Sequence, residues 1–211
     1  VLDGHFKEKQ DRFWDPVGRA LARLGLSPNQ VTLIAVLASL VNSAAYLGHR
    51  NALLFGLLMI VAELMDDLDG AVARVTDRET KLGAYLDAAT DRYKEVAALA
   101  AVAWVNDLWP LCFAAAVGSL ITSYNKARVG MEIPISNARW PDLFERLERV
   151  ALLVAGLLIE GLFPDARLGG LSPLGVALVV LAAGAIFTSL QRLVRASKLL
   201  RDHEASKRDD Q

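Results

Sequence analysis

The sequence predicts an all-α integral membrane protein with six transmembrane helices and an N-terminal amphipathic juxtamembrane helix. Three observations carry that expectation. Of the 211 residues, 54 % are hydrophobic and 22 % charged, an enrichment that suits one membrane domain better than a soluble globule. The apolar residues gather into six runs, each approaching the ~20 residues needed to cross the hydrocarbon, several only by including a polar end. The basic residues sort to one side of those runs.

Residues 1–24 form the amphipathic interfacial segment. Phe6, Phe13, Trp14, Val17, Leu21 and Leu24 recur among Lys7, Lys9, Arg12, Arg19 and Arg23. From Phe13 onward the spacing is helical, with Trp14 as an aromatic anchor at the membrane interface. Residues 25–195 form the six-helix domain. Ser27-Pro28-Asn29-Gln30 is a helix start, with a capping serine, a proline at the first helical position and a Gln where a capping box expects one. The first span runs to about Leu47. Asn51 caps the second, apolar from Ala52 to Met65 apart from Glu63. The third begins near Gly83 and continues through residues 95–105, the fourth covers about 109–127 and the fifth about 147–163. Gly169-Gly170 and Ser172-Pro173 punctuate before the sixth, about 174–191. Residues 196–211 are charged and predict a flexible tail.

An even number of spans separates the cations cleanly. Of the 23 Lys and Arg, 21 fall on one side or at helix ends facing it, and only Arg50 and Arg167 fall on the other. Positive residues stay inside, so the expectation is a multi-pass cell-membrane protein with both termini cytoplasmic. No cleavable signal peptide is expected, because the first apolar span follows about 27 mostly polar residues. The formal net charge of -1 gives no sign of a nucleic-acid polymer as partner. A lone cysteine, Cys112, supplies neither a disulfide framework nor a thiolate metal site.

Chemistry concentrates between Asp66 and Asp91. Asp66 and Asp69 close one span three residues apart, and Asp87 and Asp91 open the next four apart. Each pair shares a helical face, and folding the chain back between Gly70 and Gly83 brings the two faces together. Clustered carboxylates repel in a low dielectric unless a cation offsets them. Hard ions such as Mg²⁺ or Mn²⁺ take oxygen ligands and are commonly held by a few carboxylates together with substrate phosphates. Two such ions suit a diphosphate. Gly70, Ala73 and Gly83 are small enough for a ligand or a neighbouring helix to approach the backbone. Arg74 is placed to contact a phosphate or to complement the C-terminal end of its helix. Asp67 lies on another face and reads as auxiliary; Asp77 and Glu79 read as loop charges.

The stretch D66-x-x-D69-G70-x-x-A73-R74-x8-G83-x-x-x-D87-x-x-x-D91 resembles the full signature of the CDP-alcohol phosphotransferase family, with eight fixed positions over 26 residues. The resemblance implies an integral membrane enzyme that displaces CMP from a CDP-linked lipid with an alcohol acceptor. It implies a pair of Mg²⁺ or Mn²⁺ ions on Asp66, Asp69, Asp87 and Asp91, with Asp91 also the general base. It places Asp66, Gly70, Ala73, Arg74 and Gly83 around the cytidine and diphosphate.

The acceptor is argued from basic residues outside that stretch. Lys126 and Arg128 end the fourth span, Arg146 and Arg149 precede the fifth, and Arg192 ends the sixth. A ring of cations suits a phosphorylated polyol, since guanidinium pairs with phosphate in a bidentate fork; positive-inside sorting alone also puts cations at these ends. The segments S123-Y-N-K-A-R128, E148-R149 and Q191-R192 are similar to the branch of the family that uses inositol 1-phosphate with CDP-diacylglycerol or CDP-archaeol. That similarity implies Lys126, Arg128, Arg149 and Arg192 as acceptor-phosphate contacts. Leu147 departs from the proline often found there, and residues 130–144 are not clearly family-like.

Two other readings stay open. Glycerol phosphate, serine or another alcohol would serve the same chemistry. A small ion-coupled transporter would need acidic groups deep in several spans, whereas these cluster at one depth. His5, His49 and His203 are isolated and read as nonfunctional. Gly56, Ala88, Ala89, Gly118, Ala151 and Gly156 permit close helix packing, within the chain or across an expected homodimer.

Overall fold

A computed structural model describes residues 14–134 and 144–209. The calls on His5, Phe6, Lys7, Lys9, Arg12, Phe13 and Arg139 lie outside the described residues. All regular structure in the described residues is helical, apart from one isolated bridge between Leu168 and Leu171. After α1, residues 14–23, come α2 (Pro28–His49), α3 (Ala52–Val75), α4 (Lys81–Asn106), α5 (Trp109–Glu132), α6 (Arg146–Leu162) and α7 (Pro173–Asp209). The chain divides into two compact units, Val1–Ala101 and Val102–Gln211.

In the first unit α2 packs against α3. Pro28 occupies the first turn of α2, and the Gln30 side chain accepts the Ser27 backbone N–H at 2.8 Å, an arrangement that satisfies a donor otherwise orphaned at a helix start. Asn51 caps α3 by accepting the Leu54 N–H at 2.9 Å. Tyr46 and Phe55 stack with ring centroids 4.3 Å apart, and the Asn42 amide donates to the Phe55 carbonyl at 3.2 Å. This pins the turn between α2 and α3. α1 lies on α3: a Cβ at Gly18 would stand 2.8 Å from the Ala71 carbonyl carbon, so only glycine allows that approach.

The α3–α4 turn explains the spacing inside the signature. The Arg78 N–H reaches the Ala73 carbonyl at 2.9 Å and the Asp77 N–H reaches Arg74 at 3.2 Å. With Asp77 left-handed at φ 52°, this is a Schellman termination, in a backbone region that Asp tolerates better than most residues. Thr80 then starts α4, its hydroxyl accepting the Gly83 N–H at 2.9 Å.

In the second unit α7 packs against both α5 and α6. The contacts are made by small residues, as membrane helices favour. A Cβ on Gly118 would come 2.8 Å from backbone atoms of Ala185 and Ile186, and one on Gly156 would come 2.6 Å from the Ala177 Cβ. Gly118 and Gly156 are thus used within the unit.

The helices coincide with the six expected apolar runs, but among the described residues only α2 and α7 are long and apolar enough to cross a membrane by length and composition alone. The reason lies in the sequence. α3 and α4 carry the carboxylates and their partners, and α6 has 17 residues. One expectation is corrected: the charged 196–211 segment is helical as far as Asp209, so α7 is 37 residues long. Ala, Leu, Lys, Arg and Glu are all strong helix formers, and Ala196, Leu199 and Leu200 gather with Val129 and Ile133 of the α5 end.

Because the Gly118 contact is with backbone, which yields little, Gly118→Leu is expected to lower stability by about 1–3 kcal/mol. Thermal unfolding in detergent measures this; an unchanged melting temperature would mean that α5 and α7 are not packed as described.

Candidate active site

The carboxylates of Asp66 and Asp69 on α3 and Asp87 on α4 each offer an oxygen within 4.8 Å of the others. Oxygens around an ion that takes its ligands at about 2.0–2.2 Å lie at most about 4.4 Å apart. The triad is therefore near enough to close around a hard divalent cation by movement of its side chains. It is graded in depth: Asp66 is buried, Asp69 intermediate and Asp87 more open. A deep ligand with shallower companions leaves an open side for a substrate oxygen.

Thr32 completes Asp69's surroundings. Its hydroxyl, on the second turn of α2 and 6 % exposed, donates to an Asp69 carboxylate oxygen. Sequence reading missed this residue, which comes 37 positions earlier. Its signal was a hydroxyl one turn into an otherwise apolar span.

Asp91 joins the triad through a lysine. One of its oxygens lies 3.0 Å from the Lys94 ammonium, and the other lies 3.4 Å from a guanidinium nitrogen of Arg92. Lys94 is itself 3 % exposed and also touches Asp66 Oδ2 at 2.5 Å. The sequence counted Lys94 only as an inside charge. Its position one turn beyond Asp91, and two beyond Asp87, was the clue that it faces the cluster.

The glycines of the signature lie beside polar side chains; the atom nearest a Cβ on Gly83 is the Thr80 hydroxyl at 3.2 Å. A Cβ on Gly70 would lie 3.4 Å from an Arg74 guanidinium nitrogen, and one on Gly83 would lie 3.7 Å from the Asn29 amide oxygen. Arg74 runs over Gly70 and approaches Asp15 of α1 at 3.9 Å, each about one-third exposed. At that distance and exposure this pair by itself contributes little. Asp15 and Asn29 also went unnoticed in the sequence.

In the second unit the predicted cations separate. Arg149 and Arg192 are 2 % and 5 % exposed. Arg192 donates to the Thr122 carbonyl at 2.7 Å and lies 3.7 Å from the half-exposed Glu145 carboxylate. Arg149 donates to the Phe144 carbonyl at 3.3 Å. Ser119, Thr122, Thr188 and Ser189 are buried as well, and the Asn125 amide donates to the Ser189 carbonyl at 3.1 Å. Arg128, in contrast, is exposed and pairs with Glu132 at 2.6 Å; Lys126 is half-buried. Of the three histidines, His49 accepts the Asn51 N–H at 3.0 Å in the α2–α3 turn, a local structural contact.

A family model described as CDP-alcohol phosphatidyltransferase matches residues 25–190. The archaetidylinositol phosphate synthase of Pyrococcus horikoshii is 32 % identical over 185 residues, 87 % of this chain and 90 % of that one. The phosphatidylinositol phosphate synthase of Corynebacterium glutamicum is 35 % identical over 216 residues, 94 % of this chain and 90 % of that one. Among solved structures, the Mycobacterium tuberculosis phosphatidylinositol phosphate synthase with CDP-DAG bound superposes with a TM-score of 0.76 at 29 % identity, covering 88 % of this chain and 94 % of that one. The same enzyme in complex with manganese and citrate gives 0.75 at 28 % identity, covering 87 % and 88 %.

If the Thr32 hydroxyl orients Asp69 toward a cation, Thr32→Val should weaken Mn²⁺ binding by about tenfold or more, as losing a partner of a metal ligand commonly does. Titration of the purified protein with Mn²⁺ checks this, and equal affinity in the folded variant would remove Thr32 from the site.

Proposed function

The chain belongs to the CDP-alcohol phosphatidyltransferase family, and we propose that it transfers a phosphatidyl-type group from a CDP-linked lipid to inositol 1-phosphate, releasing CMP. The donor is CDP-diacylglycerol or CDP-archaeol. The observation that carries the proposal is the convergence of Asp66, Asp69 and Asp87 to within 4.8 Å inside an eight-residue signature that is complete in this chain. Mg²⁺ or Mn²⁺ bound there, as two ions, would supply charge stabilisation for the diphosphate.

The remaining roles belong to the chain. Arg74, lying over Gly70, contacts a donor phosphate; Gly70, Ala73 and Gly83 leave space for the cytidine and diphosphate. Asp91 accepts the proton of the acceptor hydroxyl. The hydroxyl oxygen forms a bond to the lipid-side phosphorus as the bond from that phosphorus to the CMP oxygen breaks, so CMP leaves with the bonding pair. Arg149 and Arg192 hold the phosphate of the acceptor, with Lys126 and Arg128 contributing from α5. Two buried guanidiniums suit a phosphorylated acceptor better than serine or a plain alcohol, because a guanidinium pairs with phosphate in a bidentate fork. The similarity to synthases named for inositol phosphate supports the same acceptor.

The reaction needs a bilayer, and we place all six long helices, α2–α7, across it with both termini cytoplasmic. In support, large apolar residues such as Leu33, Leu37, Val41, Leu57, Val61, Phe187 and Val194 are exposed, while Thr32, Asn42, Asp66, Asp91 and Lys94 are buried. Apolar faces outward and polar groups inward is the arrangement that lipid selects.

CMP release from CDP-diacylglycerol, measured with Mg²⁺ or Mn²⁺ against inositol 1-phosphate, glycerol 3-phosphate and serine in turn, tests the proposal directly. Release with inositol 1-phosphate alone is expected; preference for serine would overturn the acceptor. Asp91→Asn should reduce turnover at least a hundredfold while inserting normally, because it removes the proton acceptor. Arg149→Ala should raise KM for the phosphorylated acceptor by tenfold or more, the scale of a lost charged contact, and leave donor binding nearly unchanged. Equal loss of both would place Arg149 in the fold rather than in the acceptor pocket.

A further inference from the structure

Lys94 is the one buried ammonium in contact with the carboxylate cluster among the described residues, and the signature does not include it. It projects from α4 one turn past Asp91, is 3 % exposed, and bridges Asp66 Oδ2 at 2.5 Å and Asp91 Oδ1 at 3.0 Å. Arg92, more exposed, meets the other Asp91 oxygen at 3.4 Å. Asp66 is thus shared between two tasks: it is the deepest member of the triad and one arm of the lysine bridge. Asp91 faces cations of the chain itself.

These contacts bear on how the site is loaded. With all four carboxylates ionised, Asp66, Asp69, Asp87, Asp91 and the ammonium of Lys94 leave three net negative charges. One divalent ion on the triad reduces that to a single negative charge. A second ion, reaching the Asp66–Asp91 side, would face an ammonium already on both carboxylates, and would turn the cluster net positive in a poorly solvated place. Such an excess is unfavourable unless an anion arrives with it. The donor's diphosphate is such an anion.

We propose that Lys94 is a tethered cation that acts as a positioning residue: it joins Asp66 to Asp91 and makes the second metal position available only when a nucleotide diphosphate is bound. This rests on the metal-site reading above and goes beyond it in assigning an order of loading. A lysine bridge also keeps the two helices together before any ion binds, so the site is preformed at the cost of a weaker second position.

The test counts ions rather than turnover. Free Mn²⁺ is followed by electron paramagnetic resonance in titrations of the detergent-purified full chain, with and without cytidine 5′-diphosphate as the probe. The wild type is expected to take one Mn²⁺ per chain alone and two with the nucleotide. Lys94→Met and Lys94→Gln remove the charge, the second keeping an amide donor for Asp66 and Asp91. In either variant the second Mn²⁺ should bind without nucleotide, at least tenfold more tightly than in the wild type. Metal-free melting should fall, and Mn²⁺ should restore more of it than in the wild type. A purely structural lysine would lower melting equally with and without Mn²⁺ and leave the stoichiometry alone. That result, or two ions on the wild type without nucleotide, overturns the proposal. A wild type that binds no Mn²⁺ under any condition, with Asp69→Asn indistinguishable from it, would instead overturn the metal-site reading itself. Should neither variant fold, the wild-type comparison with and without nucleotide decides: a second ion that nucleotide does not promote overturns the proposal.

Discussion

Asp66, Asp69 and Asp87 hold carboxylate oxygens within 4.8 Å of one another, and at an effective dielectric of about 20 each such pair of unit charges repels by roughly 3 kcal/mol. The first unit is arranged around that repulsion. Asp66 and Asp69 ride on a helix ended by a Schellman turn, and Asp87 on a helix started by Thr80, so the backbone fixes the approach of the two faces. Thr32 donates to Asp69, and Lys94 closes Asp66 against Asp91. These contacts come from α2 and α4, the neighbours of α3 in sequence. A site whose charges must be held together against their own repulsion is best built on rigid helices, where each ligand has a single direction.

The same constraint explains why α3 and α4 fall short of the composition that α2 and α7 meet. Placing carboxylates, a lysine and an arginine in α3 and α4 removes them from the set of helices that satisfy length and apolarity. Their outer faces remain apolar, however: Leu54, Leu57, Leu58, Ile60, Val61 and Leu64 on α3 are all exposed. Average hydropathy mixes a face for lipid with a face for chemistry. A helix that carries several charged site residues is therefore expected to look less like a membrane helix than α2 or α7, which carry few in their apolar stretches.

Much of this was legible in the sequence, for reasons that can be named. Helix starts were read from Ser27-Pro28 and Asn51 because capping is local, and the chemistry was read from Asp66, Asp69, Asp87 and Asp91 because helical spacing converts directly into a shared face. What escaped came from elsewhere in the chain. Thr32 reaches Asp69 across 37 positions, and Asp15 reaches Arg74 from a helix whose docking depends on Gly18 lying against Ala71. Neither contact has a periodicity to reveal it. Lys94 was visible but misassigned, since a sorting rule for positive charge gives the same weight to a lysine in water and a lysine between two aspartates. The end of α7 was misjudged because charge was weighed above the helix propensity of its residues and the apolar contacts of Leu199 and Leu200.

The two buried arginines of the second unit differ from Lys94 in how they are held, and the difference bears on what each would do. Lys94 is neutralised at short range by carboxylates of its own chain. Arg192 donates to a neutral carbonyl, that of Thr122 at 2.7 Å, and the Glu145 carboxylate, half in solvent, stands 3.7 Å away. A carbonyl fixes the direction of a guanidinium without cancelling its charge, and a carboxylate at that distance and exposure is a weak partner. A phosphate that presents two oxygens to the fork competes with Glu145 on favourable terms, because paired charge-assisted bonds are shorter and stronger than a single distant one. In the proposed function, then, a phosphate that meets Arg192 competes with a half-exposed carboxylate, whereas an ion that meets Asp66 and Asp91 competes with the buried Lys94 ammonium.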